Sequence, residues 1–285
     1  MARIAHAPRS RSQKAAIIEA LFDERWDPTT QELSDPVVTV DDIRRHGFGG
    51  NVWDFFKSFV RRTASANANW PPSVLARGFT AVQDVSRKGN CFRFERLPPG
   101  QTAAFLPLVP LEGHPTYQVE SASIPLASRQ LGRNEETWLV QVAVRLRVIE
   151  THLTLFSPRN IVNVDHLQMS AKLGGAEIDA LFLAVEECEG SSERRRELIV
   201  TCEAKGPHDD IIEEQICRQV STISRQRAVS QEFILPLAVK VIGRSRLLVG
   251  EFDVVPRAQA ATLQSLSLVS AAIYELVPPV PGIGS

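Results

Sequence analysis

Only four cysteines occur, Cys91, Cys188, Cys202 and Cys217, and no two stand at the short spacing of a zinc ligand pair. They are expected as buried free thiols rather than as disulfides or metal ligands. The six histidines include no His-x-x-x-His pair, which disfavours a zinc hydrolase. There is no run of eighteen apolar residues, and the first residues carry no apolar signal core. A soluble, cytoplasmic protein without membrane contact is therefore expected. Charge of one sign is lacking too: the net charge of -1 excludes a strongly basic chain, but it is unevenly spread. Residues 1–100 hold fifteen Lys and Arg against eleven Asp and Glu, or +4, and the remainder 17 against 22, or -5.

What is present is a buried strand that ends in charge. The run Leu198, Ile199, Val200, Thr201, Cys202 continues into Glu203, Ala204 and Lys205 and stops at Gly206 and Pro207. A run apolar at nearly every position belongs to a strand covered on both faces, where Glu and Lys need partners. Side chains two apart share a face, so Glu203 and Lys205 project together, about 6.5 Å apart along the strand. Such a pair can hold a metal ion and a water side by side. Upstream, residues 177–185 read as a second strand, with Glu177, Asp179, Leu181 and Leu183 on one face. The polar stretch 186–197, which includes Arg194, Arg195 and Arg196, reads as a solvated connection. Antiparallel pairing then sets Asp179 beside Glu203 and Lys205. That is the geometry of a divalent-metal site.

Asp179, some two dozen residues, then Glu203-x-Lys205 on a strand followed by a helix resembles the active-site signature of the PD-(D/E)XK nuclease superfamily, which includes many type II restriction endonucleases. The resemblance covers roughly residues 137–250. Of the six lysines, only Lys205 has an acid two residues before it, whereas Ile178 stands where the family signature has proline. The resemblance implies an α+β to α/β core in which a mixed sheet is flanked by helices, with the order helix, three-stranded meander, helix, strand.

Each piece of that order has a candidate. Asn134 followed by Glu135, Glu136 and Thr137 reads as an N-cap with acids in the first turn, and Leu139, Val142, Ala143, Leu146, Ile149 and Leu153 recur at helical spacing. Val140, Val142, Val144, Leu146 and Val148 also alternate as a strand would. A helix is expected here, carrying Glu150 beneath the site as an accessory acid. The meander falls at 161–173, 177–185 and 197–205, and the second helix at 209–224, with Asp209, Asp210, Glu213 and Glu214 in its first turns. Gln215 falls where several branches of the superfamily place a polar residue that reaches the active site. Residues 233–242 and 246–255 read as a hairpin, 258–277 as a terminal helix, and the Pro-rich tail as frayed.

The first hundred residues read as helix (13–26), strand (37–40), helix (41–46), helix (51–62) and a hairpin with Arg87 and Lys88 at its tip. This resembles a winged helix, with Arg61, Arg62, Arg87 and Lys88 meeting DNA; a plain α+β packing domain is the other reading. Domains are thus expected at 1–100 and 134–285, joined by a connecting region at 101–133.

The family resemblance implies a Mg²⁺-dependent endonuclease of double-stranded DNA, most simply a restriction enzyme. Asp179, Glu203 and the backbone carbonyl of Ala204 hold Mg²⁺, with Glu177 a further candidate ligand, while Lys205 orients and helps deprotonate the attacking water. The products are 5′-phosphate and 3′-hydroxyl ends. Two carboxylates without histidine suit Mg²⁺ or Mn²⁺ rather than Zn²⁺. Cutting both strands takes two sites, so a homodimer is expected. The alternatives are a repair or phage-defence nuclease that acts on structure or on modified bases such as methylated cytosine, and a winged-helix regulator without chemistry.

Overall fold

The computed structural model describes residues 12–84, 87–174, 176–188, 194–263 and 265–284. Residues 85–86 of the sequence-read hairpin and 189–193 of the sequence-read connection lie outside the described residues. The chain divides into two compact units, Met1–Leu106 and Pro107–Ser285.

In the first unit, α1 (Gln13–Asp23) starts at Ser12, whose hydroxyl accepts from the Ala15 N–H. A two-stranded pair, β1 (Trp26–Asp27) and β2 (Glu32–Leu33), follows. Next come β3 (Val37–Thr39) and α2 (Val40–Arg45), which opens with a capping box between Thr39 and Asp42. The helix expected over 51–62 is divided. Asn51 caps a single 3₁₀ turn (Val52–Asp54), α3 covers only Phe55–Val60, and Arg62 is extended before α4 (Thr63–Asn69). After α5 (Pro72–Ala76), β4 (Phe79–Gln83) and β5 (Asn90–Arg96) form an antiparallel hairpin, and β3 joins β5 to give the order β3-β5-β4. Phe55, Phe56 and Phe59 turn inward onto Phe92, Trp70 and Phe94, so burial of aromatic area holds the short helices to the sheet.

The second unit is a mixed sheet flanked by helices. Its elements are β6 (Thr116–Glu120), α6 (Leu126–Leu131), α7 (Glu136–Arg145), α8 (Val148–Leu155), β7 (Ile161–Leu173), β8 (Ala176–Glu187), β9 (Arg195–Lys205), α9 (Glu213–Ser224), β10 (Phe233–Gly243), β11 (Arg246–Phe252), β12 (Val255–Pro256), a 3₁₀ turn (Arg257–Thr262) and β13 (Leu268–Val277). The eight-stranded sheet runs β6-β13-β11-β10-β9-β8-β7, with β12 beside β10. Strands β7, β8 and β9 form an antiparallel meander, and α9 carries the chain across to β10, which is parallel to β9.

One face of the sheet takes α7 and α8 through Leu139, Val142, Ala143, Ile149 and Leu153, packed against Phe182, Val200, Leu237 and Tyr274. The other takes α9, whose Ile216, Val220 and Ile223 meet both strand and loop residues. Cover on both faces explains why β9 from Leu198 onward and most of β10 are buried. The segment expected as helix is helical, but in two pieces, 136–145 and 148–155, because Arg147 adopts φ 51° and caps a new helix. The N-cap position is Glu135, with no capping side chain, rather than Asn134. Helix α9 begins at Glu213, so Asp209 and Asp210 precede it. Fully buried His152 on α8 lies 3.1 Å from the Tyr274 hydroxyl and 3.0 Å from Ser270, fixing α8 to β13, and burial pushes its imidazole down to about 4.

The terminal helix expected over 258–277 is not formed. That segment is a short 3₁₀ turn and then β13, which pairs antiparallel with β11 and parallel with β6. Alanines at 258, 260 and 261 favour a helix locally, yet a slot between two strands satisfies both edges of the 268–277 backbone and buries Ala272, Tyr274 and Leu276. Nor is the tail frayed: Val280 and Ile283 are buried, the Ser245 N–H donates to the Ile283 carbonyl, and the Val280 N–H donates to the Ser245 hydroxyl. Ile283→Ala should therefore cost about 2–5 kcal/mol in urea unfolding, as core truncations do. A variant as stable as the parent would restore the frayed tail.

Candidate active site

The site forms where two strands part. The ladder between β8 and β9 runs from Glu187 opposite Arg195 to Ala180 opposite Cys202 and stops. Beyond it β8 stays with β7, as far as Ala176 opposite Leu173, while β9 stays with β10 through Lys205 opposite Lys240. Asp179 is the first β8 residue in the resulting fork. Its Oδ2 accepts the Ala204 N–H at 2.7 Å, in place of a further ladder bond. The N–H and C=O of one strand residue leave by the same edge, so the Ala204 carbonyl also faces the fork.

Glu203 and Lys205 share the α9 face of β9 and are 4% and 7% exposed. Glu203 Oε1 lies 2.5 Å from Lys205 Nζ, and Glu203 Oε2 accepts from the side-chain amide of Gln219 on α9. The same amide nitrogen donates to the Glu177 carbonyl at 3.0 Å. Gln219 therefore ties β9 to β8 across the fork. From α7, Glu136 Oε1 reaches to 3.6 Å of Lys205 Nζ.

Burial pushes the Asp179 carboxyl up to about 7, with Glu203 adding to the rise and Glu136 a smaller contribution, against the Ala204 N–H and Lys205. Burial alone would depress Lys205, but the adjoining Glu203 carboxylate, then Glu136 and Asp179, outweigh it and raise the ammonium above its ordinary value. Two carboxylates that crowd each other, with a main-chain carbonyl turned to the same fork, form an all-oxygen donor set that a hard divalent cation fits. Among the described residues, no group of three or more His, Cys, Asp and Glu side chains is gathered for a metal ion. The fit thus rests on two carboxylates and the Ala204 carbonyl.

Asp179, Glu203, Ala204 and Lys205 come together as the sequence placed them. Glu177 does not join them through its side chain, which is exposed; only its carbonyl takes part. Glu150 has Arg147 and Asp165 as its charged surroundings and one buried, unpartnered carboxylate oxygen, and burial raises its pKa. The acid that α7 and α8 deliver to Lys205 is Glu136 instead. Its sequence signal, an acid in a first helical turn, was indistinguishable from an ordinary complement to the helix dipole. Gln215 likewise gives way to Gln219, one turn along the same helix face, and its own side-chain oxygen is buried without a partner. Helical spacing could have nominated both. In the first unit Arg61, Arg62, Arg87 and Lys88 are all exposed, the first two in the turn between α3 and α4 and the others at the β4–β5 tip.

A carboxyl raised in the folded state keeps its proton while the unfolded chain ionises, so stability falls as pH rises from about 4 to about 7 and levels above that. Asp179→Asn removes this titration and retains an acceptor for the Ala204 N–H. In EDTA, its urea midpoint should exceed that of the parent above pH 7 and converge on it near pH 4. A difference independent of pH would refute the assigned cause.

The chain matches no protein-family model, no curated protein and no solved structure with which it was compared.

Proposed function

We propose that this chain is a Mg²⁺-dependent endonuclease of double-stranded DNA with a PD-(D/E)XK core, most simply a restriction enzyme that works as a homodimer. One observation carries the reading: the β8–β9 fork holds Asp179 against the Ala204 main chain beside the buried Glu203–Lys205 pair. The order α7/α8, β7-β8-β9 meander, α9, β10 adds to it. Asp179, Glu203 and the Ala204 carbonyl would hold Mg²⁺ or Mn²⁺, which when bound supplies charge neutralisation at the scissile phosphate and acidifies water. Lys205, kept cationic by its acids, holds a water and a phosphate oxygen rather than taking a proton. Gln219 fixes the Glu203 carboxylate and both arms of the fork. In-line attack of water on phosphorus forms one P–O bond and breaks the P–O3′ bond, and the proton the water gives up to solvent is replaced on the 3′-oxygen from solvent, leaving 5′-phosphate and 3′-hydroxyl ends.

Asp179→Ala, Glu203→Ala and Lys205→Ala should each abolish plasmid cleavage in Mg²⁺ while leaving duplex binding largely intact. Glu150→Ala should cut normally. Full cleavage by the first three would remove the site. Both Glu203 oxygens are already engaged, by Lys205 and Gln219, which favours one second reading, a DNA-binding protein without chemistry. Incubating the protein with unmodified and methylated plasmid, in Mg²⁺ or EDTA, decides among a restriction enzyme, a modification-dependent nuclease and this binder.

The first unit supports the DNA-binding half of the reading. Helix α1, strand β3, helices α2 and α3, and a β4–β5 hairpin in a sheet ordered β3-β5-β4 resemble a winged-helix succession, with the β1–β2 pair added after α1 and α4 and α5 added before the hairpin. Replacing Arg61, Arg62, Arg87 and Lys88 by alanine should weaken DNA binding and flatten its log-log salt dependence, by about 0.9 for each phosphate no longer neutralised. The fragment 1–106 should bind DNA by itself. No binding by that fragment at low salt, together with parental binding by the quadruple variant, would make the unit a structural or dimerising module.

A further inference from the structure

A second lysine stands beside Lys205. In the parallel ladder Lys240 of β10 is the direct partner of Lys205, and partners on neighbouring strands lie about 4.8 Å apart. Lys240 projects from the same face, since Leu235, Leu237, Val239 and Val241 turn to the α7–α8 side and Ala238 to the α9 side. It is only 7% exposed. Its ammonium is held by Asp210, which comes from the 206–212 segment leaving the end of β9. The β9–α9–β10 crossover places both lysines toward the carboxyl ends of two parallel strands, where sheets of this kind take their ligands.

Like charges on paired residues of one face disfavour each other unless each is balanced. Each lysine has its own acid: Glu203, with Glu136, for Lys205, and Asp210 for Lys240. The two acids differ in position. Glu203 is buried on its strand and tied down by Gln219, whereas Asp210 is carried by a connecting segment and its side chain is 26% exposed. An anion arriving at the strand ends can displace the second far more readily than the first. The anion with the matching chemistry is a phosphodiester, whose oxygens accept charge-assisted hydrogen bonds from an ammonium as a carboxylate does.

We infer that Lys240 is a second phosphodiester-binding residue of this site, and that Asp210 occupies its ammonium until the substrate's phosphate takes its place. The inference rests on the nuclease reading above and deepens it. Lys205 serves the reacting phosphate, and Lys240 takes an oxygen of that phosphate or of its neighbour. Asp210 therefore competes with substrate, so removing the lysine and removing its acid must have opposite effects.

The test compares Lys240→Gln, Lys240→Arg and Asp210→Asn with the parent. Affinity for a short duplex is measured in Ca²⁺ over a range of salt, cleavage in Mg²⁺, and thermal unfolding without DNA. Lys240→Gln should weaken binding and raise KM about ten- to a hundredfold, with kcat far less affected, and lower the log-log salt slope by about 0.9. Lys240→Arg should recover most of the affinity. Asp210→Asn should bind more tightly than the parent, although it loses the same ion pair. A merely structural pair predicts that Lys240→Gln and Asp210→Asn both lower the unfolding temperature and both weaken binding; that outcome, or parental affinity in both, overturns the inference while a cleaving parent leaves the nuclease reading standing. A parent that neither binds nor cuts DNA overturns both.

Discussion

The second unit is organised around a backbone bond that β8 and β9 do not make. Past Ala180 and Cys202 the two strands part, and the Asp179 carboxylate takes the Ala204 N–H that a further ladder pair would have used. A buried N–H cannot go unpaired without cost, so the carboxylate is held in the fork by the main chain itself. Its arrival next to Glu203 then dictates the rest. Two acids in a dry cleft require cationic and amide partners, and Lys205 and Gln219 supply them from β9 and α9. The charge that the sequence carries into the buried end of β9 thus has partners close by.

This balance explains why the site combines a raised carboxyl with a raised ammonium. Desolvation acts against both charged forms, and the outcome differs because Lys205 meets acids while Asp179 meets another acid as well as a lysine. A site in this condition favours added positive charge. In the proposed reading, the two carboxylates, the Ala204 carbonyl and the Lys205–Lys240 neighbours would serve a phosphodiester accompanied by a hard cation.

Legibility followed the physics of each element. Strands β8 and β9 were readable because cover on both faces leaves apolar runs, and the charged end of β9 marked the site directly. The meander's pairing put Asp179 beside Glu203 without any tertiary information. Elements decided by distant partners were obscure. Local alanines pointed to a helix near 258–261, while β13 is set by a slot between β11 and β6, the second of which lies far away in sequence. Glu136 and Gln219 were hidden for other reasons: an acid in a first helical turn reads as a complement to the helix dipole, and helix spacing names the face that Gln215 and Gln219 share but not which turn of it meets a strand end. The division of 51–62 into a 3₁₀ turn and α3 was invisible because Asn51 caps only when the chain bends there.

The position of β13 also bears on how the second unit is built. Gln118 of β6 and Glu275 of β13 are 157 residues apart and joined by a side-chain hydrogen bond, with β11 on the other side of β13. Until 268–277 has emerged from the ribosome, β11 is an open edge with apolar faces, and β6 has nothing to pair with. Such an edge is a template for wrong partners. The fork itself is assembled from 176–205 and α9, well before that edge is closed. Synthesis therefore passes through an interval in which the charged cleft can already form while the sheet behind it is incomplete.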